Sequence, residues 1–194
     1  MEACDDNVDL NVMRFAQPIR FHDGSMLRLR ELRITDRDRL RAFFAGCSEE
    51  ALRYRFMSSI KAPSESLLNY LMDVDGYRHV ALVVTRGFGE SESIVAEGRF
   101  AMFPQDRDSA DVAFLVHDDL RRRGIATLLL QRLGEIAMRN GINSFSADVL
   151  ADNRAMLSFI RKTVKPRSTV VSSGVIHFEI PLINLKRDPL SEAA

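Results

Sequence analysis

Ala110-Asp111-Val112-Ala113-Phe114-Leu115-Val116-His117-Asp118-Asp119-Leu120-Arg121-Arg122-Arg123-Gly124-Ile125-Ala126-Thr127-Leu128-Leu129-Leu130 is the stretch that orders the rest of the chain. Its apolar, partly β-branched start reads as a strand that ends near Val116. A helix is expected from Arg121 to Arg139. There Ile125, Leu129, Leu133, Ile136 and Ala137 fall on one stripe, and Asn140-Gly141 supplies a stop. Three arginines at a helix start are odd, because the helix dipole disfavours cations there by about 0.3–1 kcal/mol. A bound anion reverses that cost. Free N–H groups at a helix start, with a glycine that allows close approach, form an anion cradle. A solvated charge run beside an ordinary helix start is the plain alternative. The cradle is neither Gly-x-x-x-x-Gly-Lys-[Ser/Thr] nor a Gly-x-Gly-x-x-Gly that follows a strand.

Upstream, Pro18–Phe21 leads to a turn at His22-Asp23-Gly24-Ser25, and Met26–Arg30 alternates with period two, as a strand or hairpin does. Thr35-Asp36-Arg37-Asp38 reads as a helix N-terminus with acids in its first turn, Leu40, Phe43 and Phe44 as its inner face, and Gly46 as the residue just past its end. Two shorter helical segments start at Ser48-Glu49-Glu50 and Pro63-Ser64-Glu65. Strands are expected over 79–85, 94–103 and 110–116, forming an antiparallel meander. Downstream come a strand over 144–150, a helix from about Asn153 to Lys162, and strands over 168–172 and 175–182. The fold class is therefore mixed α/β, with a central strand–helix–strand unit that joins parallel strands. Residues 1–17 are expected as a flexible leader, 18–185 as a single domain and 186–194 as a tail.

The chain has 194 residues, which suits one domain. Its 27 basic and 27 acidic residues cancel, which argues against a general nucleic-acid binder. Of the basic residues, 23 are Arg and 4 are Lys. Arg suits fixed contacts to phosphate or carboxylate, although coding bias explains the excess as readily. Two cysteines, Cys4 and Cys47, point to a reducing, cytoplasmic setting. The four histidines lack metal-ligand spacing, so no metal is expected. The acidic start is no signal peptide, and no apolar run has the length of a membrane span.

Arg121-Arg122-Arg123-Gly124-Ile125-Ala126 resembles the pyrophosphate motif of the GNAT-type N-acetyltransferases, [Gln/Arg]-x-x-Gly-x-[Gly/Ala]. Leu27–Leu32, the Thr35-Asp36 start, Phe43-Phe44, Ser48–Phe56 and Val149–Met156 are similar to the catalytic domain of bacterial protein lysine acetyltransferases of the Pat type. The likeness covers roughly 18–182. It implies a mostly antiparallel sheet with helices on both faces and one parallel strand pair splayed to hold acetyl-CoA, between ends near Val116 and Leu150. It implies that the backbone at Leu115 and Val116 pairs with pantetheine. The amides of Arg121, Arg122, Arg123, Gly124, Ile125, Ala126 and Thr127 would hold the pyrophosphate, and Asn153 would contact CoA from the far side. The implied partners are acetyl-CoA and an amine acceptor, possibly a protein lysine, with a homodimer allowed and no nucleic acid or membrane.

An amine is mostly protonated near neutral pH, so its attack needs a proton acceptor. The resemblance places that base at a Glu in Ala-Glu-[Ile/Phe]-Ala. Here Ala110-Asp111-Val112-Ala113 keeps the acid one methylene shorter, with roughly 1.5 Å less reach. Period two puts Asp111 on one face with Ala113, Leu115 and His117. The Tyr that often protonates the leaving thiolate is missing from Leu157–Lys162, and Val164-Lys165 stands where Gly-Phe is common. His79 and His117 are reserve candidates, and neither cysteine has a paired base in sequence. Three functions stay open at this level: acetyl transfer to a protein lysine, acetyl transfer to a small amine or amino acid, and an acyl-CoA-binding module with little catalysis.

Overall fold

A computed structural model describes residues 17–20 and 26–185. The expected leader and tail, and the turn at 22–25, fall outside the described residues, Gln17 apart. Eight strands form one sheet: β1 (Gln17–Arg20), β2 (Met26–Glu31), β3 (His79–Arg86), β4 (Ser93–Met102), β5 (Ser109–Val116), β6 (Ser144–Leu150), β7 (Ser168–Ser172) and β8 (Val175–Pro181). Their order across the sheet is β1-β2-β3-β4-β5-β6-β8-β7. Neighbours are antiparallel except β5 and β6, which run parallel. Five α-helices occur among the described residues: α1 (Arg37–Gly46), α2 (Glu49–Phe56), α3 (Glu65–Met72), α4 (Ile125–Arg139) and α5 (Arg154–Thr163).

The alternation of the strands splits the apolar residues between two cores, one on each face of the sheet. On one face Val80, Leu82, Phe100, Val112 and Phe145 meet Ile125, Leu129 and Leu133 of α4 and Ile160 of α5. On the other, Ala81, Val83, Ile94 and Leu115 meet Leu40, Phe43 and Phe44 of α1, Leu52 of α2 and Leu68 of α3. Gly98 lets α4 sit close, because a Cβ there would lie 3.2 Å from Leu133 and 3.4 Å from Leu129.

The helix expected from Arg121 begins instead at Ile125. Asp118–Leu120 form a 3-10 turn, Arg122 takes a left-handed conformation (φ 62°), and Gly124 caps α4 at φ 83°. The three arginines thus precede the helix rather than occupy its first turn. The first helix starts at Arg37, after a 3-10 turn over Ile34–Asp36. Asp36 is no exposed first-turn acid. It is fully buried, and it accepts from the Arg33 N–H and from two nitrogens of Arg30. Gly46 is the last residue of α1 rather than the one beyond it. Ser48 and Ser64 cap α2 and α3 with side-chain oxygens that accept from Ala51 and Leu67.

Candidate active site

β5 and β6 pair at only three positions, Ser109↔Ser144, Ala110↔Phe145 and Asp111↔Ser146. Beyond Asp111 they part, while β5 stays paired with β4 up to Val116 and β6 with β8 up to Leu150. The result is a V-shaped cleft that opens just beyond Asp111, the last residue at which the two strands pair. Val112, Ala113 and Phe114 form one wall, Ala147, Asp148 and Val149 the other, and Met156, Phe159 and Ile160 of α5 line it from the side. The His117 N–H donates to the Val95 carbonyl of β4. Period two therefore turns the peptide groups of Phe114 and Val116 the other way, into the gap, where no strand takes them.

Helix α2 crosses this gap. Its N-terminal end is tied to the loop after β5, because Asp118 accepts from the Ser48 N–H at 3.0 Å and from its hydroxyl at 3.1 Å. Its other half is tied to the loop after β6: Arg53 pairs with Asp152 at 2.5 Å, and the Tyr54 hydroxyl donates to the Asp152 carbonyl at 3.4 Å. Tyr54 and Arg55 consequently line the cleft.

Asp111 lies on the face of α1–α3, as period two requires, with Leu115 buried on the same face and Val116 packed toward α4. Its side chain stays open to solvent, but the protein packed around it partly desolvates the carboxyl and pushes it above the usual range; Asp148 adds to this, and Arg55 opposes it. Asp148 in turn holds His177 Nδ1 at 2.6 Å. At the open end of the V, Arg121, Arg122, Arg123 and Gly124 are all exposed. Arg121 pairs with Asp118 at 2.6 Å. Burial works against the charge of Asp118, but the Ser48 N–H, Arg121 and the Ser48 hydroxyl outweigh it and hold its carboxyl low. The three arginines lie outside the helix and Arg121 has an acid, so the helix dipole disfavours them less than it would inside the first turn. What remains is the helix start itself. Leu128 is the first residue to bond back within α4, to the Gly124 carbonyl, so the amides of Ile125, Ala126 and Thr127 have no acceptor inside the helix. A Cβ built on Gly124 would meet nothing within 4 Å, so the space beside this turn is open.

Asn153 lines the cleft and caps α5, with Oδ1 accepting from the Met156 N–H at 3.1 Å. His117 does not face this cleft; it lines a second one with Arg39, Arg86 and Glu92. His79 is committed elsewhere, with Nδ1 on the Asp73 carbonyl and Nε2 3.0 Å from Arg99. Burial and then Arg99 hold it below the usual histidine range. The Cys47 thiol is half-buried and pushed up to about 12, by burial first and then by Asp118, with Arg121 opposing, so it is no nucleophile. Among the described residues no group of three or more His, Cys, Asp or Glu is placed to hold a metal, and no helix is long and apolar enough to cross a membrane.

Sequence reasoning missed Tyr54, Arg55, Glu97, Arg99, Asp148 and His177. One signal was present: Glu97 and Arg99 are charges two apart in an otherwise apolar strand, as odd there as Asp111 is in its own.

The family model of the GNAT acetyltransferases matches residues 40–164. Acetyltransferase Pat of Mycolicibacterium smegmatis is 34% identical over 139 residues, 72% of this chain and 41% of that protein. The chain thus spans about two fifths of that relative's length. An acetyltransferase of Pseudomonas aeruginosa is 33% identical over 135 residues, covering 69% of this chain and 72% of its own. The crystal structure of the GNAT domain of S. lividans PAT superposes with a TM-score of 0.75 at 26% identity, over 86% of this chain and 97% of that one. The structure of yncA from Salmonella typhimurium with its cofactor acetyl-CoA shares the fold, with a TM-score of 0.61 at 16% identity over 87% and 99% of the two chains. A splayed parallel pair, an open helix start after it and a family match through both make this chain a member of the GNAT acetyltransferase family.

Proposed function

We propose that this chain transfers an acetyl group from acetyl-CoA directly to an amine, with a protein lysine as the acceptor. The observation that carries this reading is the parting of β5 and β6 immediately beyond Asp111, which leaves an acid at the last paired position, next to a cleft whose far end is an open helix start. Acetyl-CoA fits what the chain offers. The unpaired peptide groups of Phe114 and Val116, beside Leu115, would take the pantetheine amides. The backbone from Arg122 to Thr127 would take the pyrophosphate, where Gly124 leaves room; the Arg121 N–H, expected to join them, instead donates to the Asp118 carbonyl at 3.3 Å. Asn153 would face the ligand from the opposite wall, with its amide nitrogen, since its oxygen serves the helix cap. The bound thioester supplies an activated acetyl group.

Asp111 is the residue that would take the proton of the attacking amine. Its raised pKa brings a carboxylate closer to working pH, which suits a general base. Asp111 and Asp148 together present negative charge to an ammonium group, which supports a cationic acceptor such as lysine, as does the resemblance to protein lysine acetyltransferases. The acyl-CoA chemistry and the free thiol of Cys47 support a cytoplasmic setting.

Steady-state assays with acetyl-CoA and a lysine peptide test the base. Asp111→Asn is expected to lower kcat about 10²–10⁴-fold. Asp111→Glu, which restores the family's acid, retains turnover. Full activity in Asp111→Asn removes Asp111 from the mechanism. A small-amine acceptor is the second reading, and a panel of free amines beside the peptide decides between them.

A further inference from the structure

The buried guanidinium groups beside the cleft are not fully hydrogen-bonded. Glu97 and Arg99 project from β4 toward α1–α3 and are 0% and 5% exposed. Glu97 accepts from Arg99 Nε at 2.5 Å through one oxygen, and the other oxygen lies 3.5 Å from Arg55 Nη2. Glu97 therefore faces both guanidinium groups and holds only Arg99 closely, while Asp111 acts on Arg55 through charge alone. Arg99 spends Nη1 on the Leu71 carbonyl at 2.9 Å and His79 Nε2 at 3.0 Å. Arg55 has a side chain only 8% exposed, lies 5.0 Å from the centre of the Phe56 ring, and lines the cleft. Arg55 Nε and Arg99 Nη2 are buried without a hydrogen-bond partner among the described residues.

A buried guanidinium with an unmade hydrogen bond is costly, and it recovers that cost only from an acceptor, best an anion. We infer that Arg55 binds a substrate carboxylate inside the cleft, with Glu97 and Arg99 as the positioning pair that holds it there. A guanidinium edge matches a carboxylate in a bidentate geometry, and Arg55 lines the cleft. Neither an acetyl group nor a lysine side chain supplies such a group, so the carboxylate belongs to a substrate beyond the acetyl-CoA and lysine pair: a dicarboxylic acyl chain on CoA, or an amino acid taken as the small-amine acceptor. The inference rests on the acyl-transfer reading and adds a substrate class to it.

Binding, rather than turnover, separates the two sources. One arm titrates free CoA, acetyl-, propionyl-, malonyl- and succinyl-CoA by calorimetry and thermal shift. The other arm, with acetyl-CoA or CoA present, titrates free amino acids against their carboxamides. The expected result is a preference of about ten- to a hundredfold for the carboxylate compound in one arm. Arg55→Gln erases that preference and Arg55→Lys keeps part of it. Equal affinity for charged and neutral compounds in both arms overturns the inference while leaving acyl transfer standing. So does an Arg55→Gln variant that weakens both kinds equally, the mark of a role toward the thioester itself. If no CoA compound binds at all, the acyl-transfer reading fails first and the inference goes with it.

Discussion

Asp36 accepts from Arg30 at 2.5 and 2.9 Å with 0% of its own surface exposed. Burial alone would raise its pKa, but Arg30 and the Arg33 N–H outweigh burial and hold it below the usual carboxylate range. Its contribution to stability is therefore complete above the unfolded value of about 3.9 and is lost as pH falls through the lower folded value. Asp36→Ala leaves a buried guanidinium partly uncompensated, and a loss of about 3–5 kcal/mol in urea unfolding at pH 7 is the expected outcome. Asp111 has the opposite sign. Its folded pKa is raised, so ionising it costs the folded state once pH climbs past the unfolded value. Asp111→Asn should thus leave stability at pH 7 unchanged or higher while turnover collapses; a lower melting temperature at pH 7 would show a structural role instead. Asp111 and Asp36 are both acids in the sequence, and only the strand alternation of the first was readable. The role of Asp36 depends on an arginine of β2 whose side chain the sequence does not aim.

Helix α4 owes its start to Gly124 at φ 83°. An L side chain there costs roughly 1–2 kcal/mol in backbone strain, since no neighbour lies near enough to clash. Gly124→Ala is expected to lower stability by about that amount and to weaken acyl-CoA binding more than tenfold, read by calorimetry. Unchanged affinity would mean that the ligand does not approach this turn. The element scale is where the sequence was read best. The strands at 144–150 and 168–172 have the expected limits, and the stripe from Ile125 to Ala137 is buried as its period requires. Helix α4 starts four residues later than its sequence pattern suggests, because an arginine in the left-handed region leaves no local mark in composition.

Across the whole molecule, one sheet separates two cores, and the cleft exists because α4 and α5 pack one face while α2 spans the other. Gly98 sets the spacing between α4 and β4. Gly98→Val drives a branched side chain into Leu129, Leu133 and Phe114, at about 1–3 kcal/mol, and displaces the helix start that faces the cleft. Stability and acyl-CoA affinity are expected to fall together. A variant that loses stability with unaltered affinity would uncouple the core from the site. A ligand at a hundred times its Kd should add about 2.7 kcal/mol to the wild type, and a thermal shift measures it.

The chain by itself determined its elements, its fold class and the strand–loop–helix unit around Gly124, because hydrophobic period and glycine placement act over a few residues. Tertiary structure decided which charges meet. Arg55 and Glu97 are 42 residues apart, and Asp148 and His177 are 29 apart. They face one another only because of the strand order and because α2 crosses between the ends of β5 and β6. Local periodicity says which face a residue takes, whereas pairing across strands depends on order and register, and those are properties of the folded sheet.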